Sequence, residues 1–568
     1  MENQFKTLED VVVHVVKTEP FFALEEVDIR NIRLKTFANA ARHIGELMEK
    51  CDEYGDTDFL VFGAERYSYS DFRSQVNRLA QVLKAQFGVS KGDRVAICMR
   101  NYPEYLTAIM AIASLGGVIV FLNSWWTTQE LEYGFTDSQA KLVFTEPSIA
   151  KRLEPFAERF DITQILVRSE ATAENAYNKL MDSVVKADIP VTDIDTDDDM
   201  AIMYTSGSTG QPKGVVQTHR GAISALMSWL FTEHIGKMMG LTPEMPKDAN
   251  GADLQTCSLI TTPLFHVSAT HACFFFGLAT GARLVIMNKW NAETAVNLIE
   301  QENVTRFFGV PTMSADILET AATMGKSLDT LRNMDAGGAK RPASQVEKLA
   351  KAFPLAEPRS GFGLTETNAL GLGIGGGDYM NHPGAAGRPY PPLQEMRIID
   401  DAGKEVATGG VGELILKSAA NMRCYLNKPE ATAETLKDGW LYTGDLATVN
   451  AEGLVTIVDR KKDIIIRGGE NISCLEVDAA CYLHPSVSEA AVFSVPHDRL
   501  GEVVGAAVVL RPGQTLTQND LQDFLRDHLA AFKVPATIWF RDNLPRGGTE
   551  KIDRRALRAE YVSKTSIS

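Results

Sequence analysis

A segment rich in glycine and hydroxyl residues lies between two short apolar stretches and reads YTSGSTGQPKGVV at residues 204–216. It supplies hydroxyl donors, flexible glycines and one cation, namely Thr205, Ser206, Ser208, Thr209, Gly207, Gly210 and Lys213. Glycines let a backbone approach an anion closely, while hydroxyls and a lysine donate hydrogen bonds to it. The segment therefore predicts a phosphate-binding loop.

Two other interpretations of this loop fit the sequence less well. A flexible linker would not be flanked by apolar residues at 201–204 and 214–216, which predict two strands joined at a tight turn. A Walker-type loop ends in Gly-Lys-Ser/Thr, whereas Lys213 follows Pro212 and precedes Gly214. The loop indicates a nucleotide site of another kind.

Further motifs follow this loop along the chain, namely GFGLTE at 361–366, YTGDL at 442–446, DRKKD at 459–463 with GGE at 468–470, and PRGGTEK at 545–551. In this order they resemble the signatures of the adenylate-forming superfamily, which contains acyl-CoA synthetases, firefly-type luciferases and peptide-synthetase adenylation domains. The chain is most similar to an acyl-CoA synthetase, a fatty or aryl acid:CoA ligase.

The resemblance implies a two-step reaction that uses ATP, Mg²⁺ and coenzyme A. A carboxylate attacks the α-phosphorus of ATP to give an acyl-adenylate and pyrophosphate, and the thiol of CoA then displaces AMP. Because an anion approaches an anion in the first step, the site needs cations and amide donors. The rival interpretations are an adenylating enzyme that serves a separate carrier protein, a luciferase-like oxygenase, and a catalytically silent acyl or nucleotide sensor.

Nucleotide-binding residues are carried over from the family by their positions in the motifs. Phosphates would be held by Thr205, Ser206, Gly207, Ser208, Thr209, Gly210 and Lys213. Adenine would be bordered by Phe362 and the stretch Gly337, Gly338 and Ala339, and Gly363 would also belong to the nucleotide site. The ribose would be bound by Asp445 and Arg460. A carboxylate suits a ribose because it accepts hydrogen bonds from two hydroxyls. The family more often has Tyr where Phe362 stands, so stacking is kept and a hydroxyl is lost.

Four residues are implied in catalysis, namely Thr365, Glu366, His266 and Lys551. Glu366 would hold Mg²⁺, for which one carboxylate suffices because water and phosphate fill the other positions. Lys551 would bridge the carboxylate and the α-phosphate, although Glu550 stands where the family usually has glycine. His266 has two open interpretations, a core histidine in an apolar run or a residue of the acyl tunnel.

Three residues near the C-terminal end are implied in the second step. Lys462 matches the hinge about which a small domain turns after adenylation. Gly468 and Gly469 would meet the pantetheine arm of CoA, where glycine admits a narrow thiol chain.

The acid is expected to be hydrophobic, because residues 224–231 and 265–277 are rich in Leu, Met, Trp and Phe. Peptide-synthetase domains pair an aspartate with the amino group of their substrate in this neighbourhood. No aspartate occurs at 263–271, so amino acids are disfavoured.

Composition limits the partners of the chain. With 57 Lys and Arg against 73 Asp and Glu, the net charge of −16 argues against broad binding to nucleic acid or an anionic membrane. Seven scattered cysteines without a Cys-x-x-Cys favour a reducing cytoplasm, and neither a transmembrane segment nor a signal peptide is predicted. The expected partners are a small carboxylic acid, ATP and CoA, and a homodimer stays open.

Alternating helix and strand patterns predict the fold that positions these motifs. Apolar residues spaced by three and four predict a helix over 72–83 that ends near Gly88, with a strand at 95–99. The alternation recurs at 108–115 into 118–122 and at 292–300 into 305–309. It predicts an α/β fold, a large N-terminal domain of doubly wound sheets with helices on both faces and a small mobile α+β C-terminal domain.

The chain of 568 residues is longer than a single hydrophobic core usually spans. We expect domains at 1–459 and 463–568 with a hinge at 460–462. Local patterns predict a helix over 41–47, a helix over 518–530 capped by Thr517, and a surface loop at 240–253.

Overall fold

The computed structural model describes residues 7–170, 175–186, 188–189, 192–205, 211–461, 463–467, 470–497, 499–547 and 551–565. The strands are β1 Leu24–Ile29, β2 Ile32–Phe37, β3 Asp58–Phe62, β4 Glu65–Ser68, β5 Arg94–Cys98, β6 Val118–Phe121, β7 Leu142–Thr145, β8 Thr163–Leu166, β9 Asp199–Thr205, β10 Lys213–Thr218, β11 Cys257–Ile260, β12 Arg283–Ile286, β13 Arg306–Gly309, β14 Asn333–Gly337, β15 Glu357–Phe362, β16 Leu372–Gly375, β17 Arg388–Pro389, β18 Glu395–Ile399, β19 Gly412–Lys417, β20 Cys424–Tyr425, β21 Leu436–Lys437, β22 Trp440–Val449, β23 Val455–Arg460, β24 Ile465–Arg467, β25 Glu470–Ile472, β26 Val487–His497, β27 Gly501–Leu510 and β28 Thr537–Arg541.

The α-helices are α1 Leu8–Thr18, α2 Lys50–Tyr54, α3 Tyr69–Phe87, α4 Pro103–Ser114, α5 Thr128–Ser138, α6 Pro147–Ala157, α7 Tyr177–Asp182, α8 His219–Met238, α9 Val267–Ala269, α10 Phe276–Thr280, α11 Ala292–Gln301, α12 Pro311–Met324, α13 Ala343–Ala352, α14 Gly376–Asn381, α15 Pro429–Thr435, α16 Cys474–Tyr482, α17 Gln518–Arg526 and α18 Arg554–Thr565. A π-helical segment, Thr270–Phe275, joins α9 to α10. Among the residues described, no helix is both long and apolar enough to cross a bilayer.

Two large sheets carry the N-terminal part of the chain. One has the strand order β20-β10-β9-β6-β5-β7-β8 and the other β17-β16-β15-β14-β13-β11-β12-β3-β4. Their central strands run parallel, while pairs at the edges, such as β9 with β10 and β15 with β16, are antiparallel. The predicted α/β class is confirmed. Because parallel strands end at the same edge of a sheet, the loops after them gather on one side.

Helix α3 shows how local sequence sets these elements. Ser68 and Asp71 form a capping box at its start, and Gly88 ends it with a φ of 68°, a conformation that glycine adopts without strain. Its apolar face, including Phe72 and Val76, is buried. The predicted helix and its end near Gly88 are confirmed.

The predicted helix over 41–47 is wrong. His43 is extended, and a 3₁₀ helix covers Ile44–Glu49 instead. The apolar residues of this stretch, Ala41, Ile44 and Leu47, repeat every three positions, which matches the three residues per turn of a 3₁₀ helix. The backbone N–H of Ile44 also donates to Nδ1 of the buried His219, so packing fixes this turn.

The predicted loop at 240–253 lacks helix and strand apart from one bridge between Lys247 and Asp253. Helix α17 does begin after Thr517, whose side chain accepts from Asp520 N–H, but it ends at Arg526.

The last two sheets share the C-terminal part of the chain. One has the order β18-β19-β22-β21 with β23 beside β22, and the other the order β25-β24-β27-β26 with β28 beside β27. The first ends at Arg460 and the second begins at Ile465. Across the boundary, Nη1 of Arg511 lies 2.7 Å from Oε1 of Glu319 on α12, and both side chains are exposed, by 40% and 66%.

Candidate active site

A cleft of about 2990 Å³ opens where the ends of the large sheets face the C-terminal part of the chain. The predicted residues that line it are Thr205, Lys213, His266, Gly338, Ala339, Phe362, Gly363, Thr365, Glu366, Asp445, Arg460 and Lys551. Residues as distant in the sequence as Thr205 and Lys551 therefore line the same cleft. Ser206, Gly207, Ser208, Thr209, Gly210, Lys462, Gly468 and Gly469 lie outside the described residues.

The phosphate-loop segment leaves one strand and enters its antiparallel neighbour. Thr205 ends β9, Lys213 begins β10, and the two are register partners. Nζ of Lys213 lies 4.4 Å from the ring centroid of Tyr425. Tyr425 is held in place because β20 pairs with β10, with Val215 opposite Tyr425. The lysine is thus fixed at the wall of the cleft as a cation.

Glu366 lies in a short 3₁₀ turn whose backbone is tied to neighbouring elements. The N–H of Met422 donates to the carbonyl of Glu366 at 2.7 Å, and Nε2 of Gln217 donates to the carbonyl of Thr365 at 2.8 Å. The phenol of Tyr425 donates to Oε1 of Glu366 at 2.7 Å. Burial and the Glu366 carboxylate raise the pKa of Tyr425, so the phenol remains a donor.

The position of Glu366 suits a hard divalent cation. Its carboxylate is fixed by one neutral donor and forms no ion pair with a basic side chain among the described residues. Such a cation takes few protein carboxylates when phosphate and water complete its shell.

Asp445 is a buried carboxylate with one oxygen left for a ligand. It stands directly opposite Arg460 in the pairing of β22 with β23, and Nε of Arg460 lies 3.3 Å from its Oδ1. The hydroxyl of Thr443 accepts from the N–H of Asp445 at 3.0 Å. Oδ2 is buried without a hydrogen-bond partner among the described residues. Burial, only partly offset by Arg460, raises the pKa of Asp445 to about 6.

Beside Asp445, the cleft is walled by small residues and one ring. Gly338 and Ala339 follow β14, and Phe362 ends β15 on the neighbouring strand. Gly338 has a φ of 77°, and a Cβ there would stand 3.0 Å from Cε of Lys551. The positive φ therefore favours glycine at this position, and the end of the Lys551 side chain packs closely against it.

Lys551 reaches from the C-terminal part of the chain into this cleft. It remains accessible to the water of the cleft, yet the surrounding protein and repulsion by Arg460 lower its pKa to about 8. Burial, with Lys551 nearby, lowers the pKa of His266 to about 3, so its imidazole is neutral at ordinary pH. Nε2 of His266 is buried without a hydrogen-bond partner among the described residues. The cleft thus combines a lysine whose charge changes with pH near 8 and a neutral imidazole.

A deeper pocket continues along one face of the nine-stranded sheet. Its apolar lining includes Trp229, Val267, Phe276, Phe308 and Val310. Farther along the same strands, Nε of Arg306 lies 2.5 Å from Oδ2 of Asp335, and both residues line the cleft. The pocket is apolar near His266 and charged at its far end.

Tyr425, Arg306 and Asp335 also line the cleft but were not predicted from the sequence. A lone tyrosine in CYLNKP carries no motif, and its partners Lys213 and Glu366 are distant in sequence. A charged residue inside each of two buried strands, NVTRFFG and NMDAG, was the available signal for the ion pair, because buried charges need partners.

Comparison with known proteins gives matches over nearly the whole chain. Residues 47–426 match the AMP-binding enzyme family, and residues 476–551 match the AMP-binding enzyme C-terminal domain. A feruloyl-CoA synthase of Amycolatopsis sp is 32% identical over 534 residues, covering 94% of this chain and 98% of the relative. A fatty acid–acyl-carrier-protein ligase of Streptomyces coeruleorubidus is 34% identical over 504 residues, covering 87% and 91%.

Solved structures give the same result. The o-succinylbenzoate CoA synthetase from Bacillus subtilis, in complex with its acyl-adenylate intermediate, superposes with a TM-score of 0.77 at 28% identity. The match covers 90% of this chain and 97% of that one. The same synthetase has also been solved with ATP and a magnesium ion.

Proposed function

This chain belongs to the AMP-binding enzyme family, and we propose from that premise how its cleft residues divide the work of an ATP-dependent acid:CoA ligation. The chain is an AMP-forming acid–thiol ligase. A carboxylate oxygen bonds to the α-phosphorus as the bond to pyrophosphate breaks. The CoA sulfur then bonds to the acyl carbon, the thiol proton is lost, and AMP leaves. The observation that carries the assignment of roles is the entry of Lys551 into the cleft that also holds Asp445 and Glu366.

Lys213, Glu366 and Tyr425 act at the phosphate end. Lys213 offsets the charge of the departing pyrophosphate as a point cation. Tyr425 donates to one oxygen of Glu366 and so directs the carboxylate toward the cleft. Mg²⁺, when bound through Glu366, supplies charge neutralisation at the phosphates.

Asp445 positions the nucleoside. Its unpaired Oδ2, together with Oδ1 beside Arg460, accepts hydrogen bonds from the two ribose hydroxyls. Adenine lies between Phe362 and the backbone of Gly338 and Ala339, where small residues leave room for a flat ring. These contacts hold the α-phosphorus in line with the acid.

Lys551 joins the two reactants. In its protonated form it donates to the acid carboxylate and to the α-phosphate, which offsets the repulsion between two anions. The neutral imidazole of His266 borders the carboxyl group without adding charge. Lys462, Gly468 and Gly469 are proposed to serve the later step, in which the small domain turns and the pantetheine arm enters.

The acid is proposed to be hydrophobic in its body, because Trp229, Val267, Phe276 and Phe308 line the pocket that continues from His266. Feruloyl-CoA synthase and the fatty acid ligase are relatives whose names describe such acids. Cytosolic location is proposed because all seven cysteines are free thiols.

The test is AMP release measured with a panel of aryl and fatty acids, with and without CoA. We expect CoA-dependent turnover with a hydrophobic acid and little with glycine, alanine or glutamate. The carrier-protein ligase among the relatives makes acyl-carrier protein the second candidate acceptor. Faster turnover with acyl-carrier protein than with CoA would replace CoA in the proposal, and absence of pyrophosphate release with every acid would reject it.

A further inference from the structure

The far end of the acyl pocket is set by two parallel strands that run toward the reaction centre. Phe308 on β13 pairs with Asp335 on β14, so Arg306, Phe308 and Asp335 lie on one face of the sheet. Asp335 precedes Gly338 by three residues, and Gly338 touches Lys551. At a rise of about 3.3 Å per residue, the ion pair lies roughly 7 to 10 Å from the reacting carboxyl group.

The ion pair is enclosed but still faces open space. The Arg306 side chain is 25% exposed and that of Asp335 is 8% exposed, and both line the cleft. Among the described residues, Arg306 donates a hydrogen bond only through Nε, to Asp335. Its guanidinium carbon lies 5.2 Å from the ring centroid of Phe276, which holds it in place. The Nη groups are therefore free to donate to a ligand.

The charges around this point are nearly balanced. Arg306, Arg341 and Arg359 are cationic, whereas Asp335, Glu357 and Glu233 are anionic, and all six line the cleft. Arg359 is paired with Glu357 at 3.0 Å. A second carboxylate on the substrate would add a negative charge that no cation in this set balances, so a neutral polar group fits better.

We propose that Arg306 and Asp335 recognise a neutral hydroxyl at the distal end of the acid. The proposal rests on the acid:CoA ligase function and specifies the acid. A hydroxyl oxygen accepts from an Nη group of Arg306, and its hydrogen is donated to the Asp335 carboxylate. An acid without the hydroxyl gives the Nη groups of Arg306 no acceptor, which is an effective basis for discrimination.

The test compares acids that differ by one oxygen: 8-hydroxyoctanoate with octanoate, and 4-hydroxycinnamate with cinnamate. The two pairs distinguish a hydroxyl carried on a chain from one carried on a ring. We expect kcat/KM for thioester formation to favour the hydroxylated member at least about tenfold in one pair, the scale of a hydrogen bond to a charged group.

The double variant R306M/D335L removes both charges at similar volume, a replacement that buried ion pairs tolerate better than the loss of one partner. We expect the ratio of the two kcat/KM values within each pair to fall to about one. The matched control is R100M/E146L, which removes an ion pair of 2.9 Å whose residues do not line the cleft. Its preference should equal that of the wild type.

Equal kcat/KM within both pairs would overturn the inference, as would a preference that survives in R306M/D335L. A higher kcat/KM for the dicarboxylates octanedioate or 4-carboxycinnamate would also overturn it, because the recognised group would then be anionic. In each of these outcomes the ligase activity stands. Absence of thioester with every acid would instead reject the proposed function, and the inference with it.

Discussion

The pH dependence of adenylation is the sharpest test of the proposed role of Lys551. Its pKa is lowered from 10.5 to about 8, mainly by desolvation inside the cleft and to a smaller extent by repulsion from Arg460. In the proposed role the protonated form of Lys551 is the active one, so adenylation should be fast below the pKa and slow above it. At pH 9 about one-tenth of such a lysine is protonated, whereas an ordinary lysine would be almost fully protonated.

The assay is pyrophosphate release under kcat/KM conditions for ATP, with Mg²⁺ saturating, because kcat/KM reports pKa values of the free enzyme. We expect a fall of about tenfold between pH 7 and pH 9. Lys551→Arg keeps the positive charge at every accessible pH, so its lower activity should stay level over this range. A wild-type profile that is level to pH 9, or an equal fall in Lys551→Arg, would refute the reasoning.

The acidic side of the same profile reports Asp445. Its pKa is raised to about 6, and the ionised form is the better acceptor for ribose hydroxyls, so kcat/KM should rise as pH increases through 6. The phosphate groups of ATP also titrate near pH 6. Asp445→Asn distinguishes the two contributions, because it removes the titration of the carboxylate and leaves that of ATP.

Three further outcomes are expected. Glu366→Gln should raise the Mg²⁺ concentration needed for half-maximal adenylation, because an amide oxygen is a poorer ligand for a hard cation; an unchanged magnesium titration would remove the assigned role. Asp445→Asn should lower kcat/KM for ATP by about 10- to 100-fold but change that for 2′-deoxy-ATP much less, and equal losses would contradict ribose binding. Lys551→Ala should block acyl-AMP formation, while acyl-AMP supplied to this variant should still react with CoA. Gly469→Leu should form acyl-AMP but fail to transfer the acyl group to CoA. Impairment of both steps in both variants would argue against domain alternation.

Local chemistry accounts for what the sequence predicted. The parallel sheets followed from alternating apolar periods, and the end of α3 followed from Gly88, because these signals act within a few residues. The strands around the phosphate loop were likewise read from the apolar residues on either side of it, and β9 and β10 pair there as expected. The stretch at 41–47 failed because its conformation depends on His219, far along the chain.

Long-range pairing accounts for what the sequence did not predict. Tyr425 reaches Lys213 and Glu366 only because β20 joins the edge of the sheet beside β10. Arg306 and Asp335 meet because β13 and β14 are neighbours in a particular register. A one-residue shift of that register would turn either side chain to the opposite face. The register is set by the hydrophobic patterns of both strands together, and neither charged residue specifies it alone.

The exposed pair between Arg511 and Glu319 has a thermodynamic consequence. Such pairs contribute only about 0 to 1 kcal/mol and weaken with salt, so this contact does little to hold the small domain where Lys551 enters the cleft. If ATP binds best with the lysine inserted and CoA with it withdrawn, any change in the population of these arrangements alters the two apparent affinities in opposite directions. Ionic strength would then change the populations of the arrangements that serve the two half-reactions. A charge reversal at Glu319 would do so as well, without a change at either reaction centre.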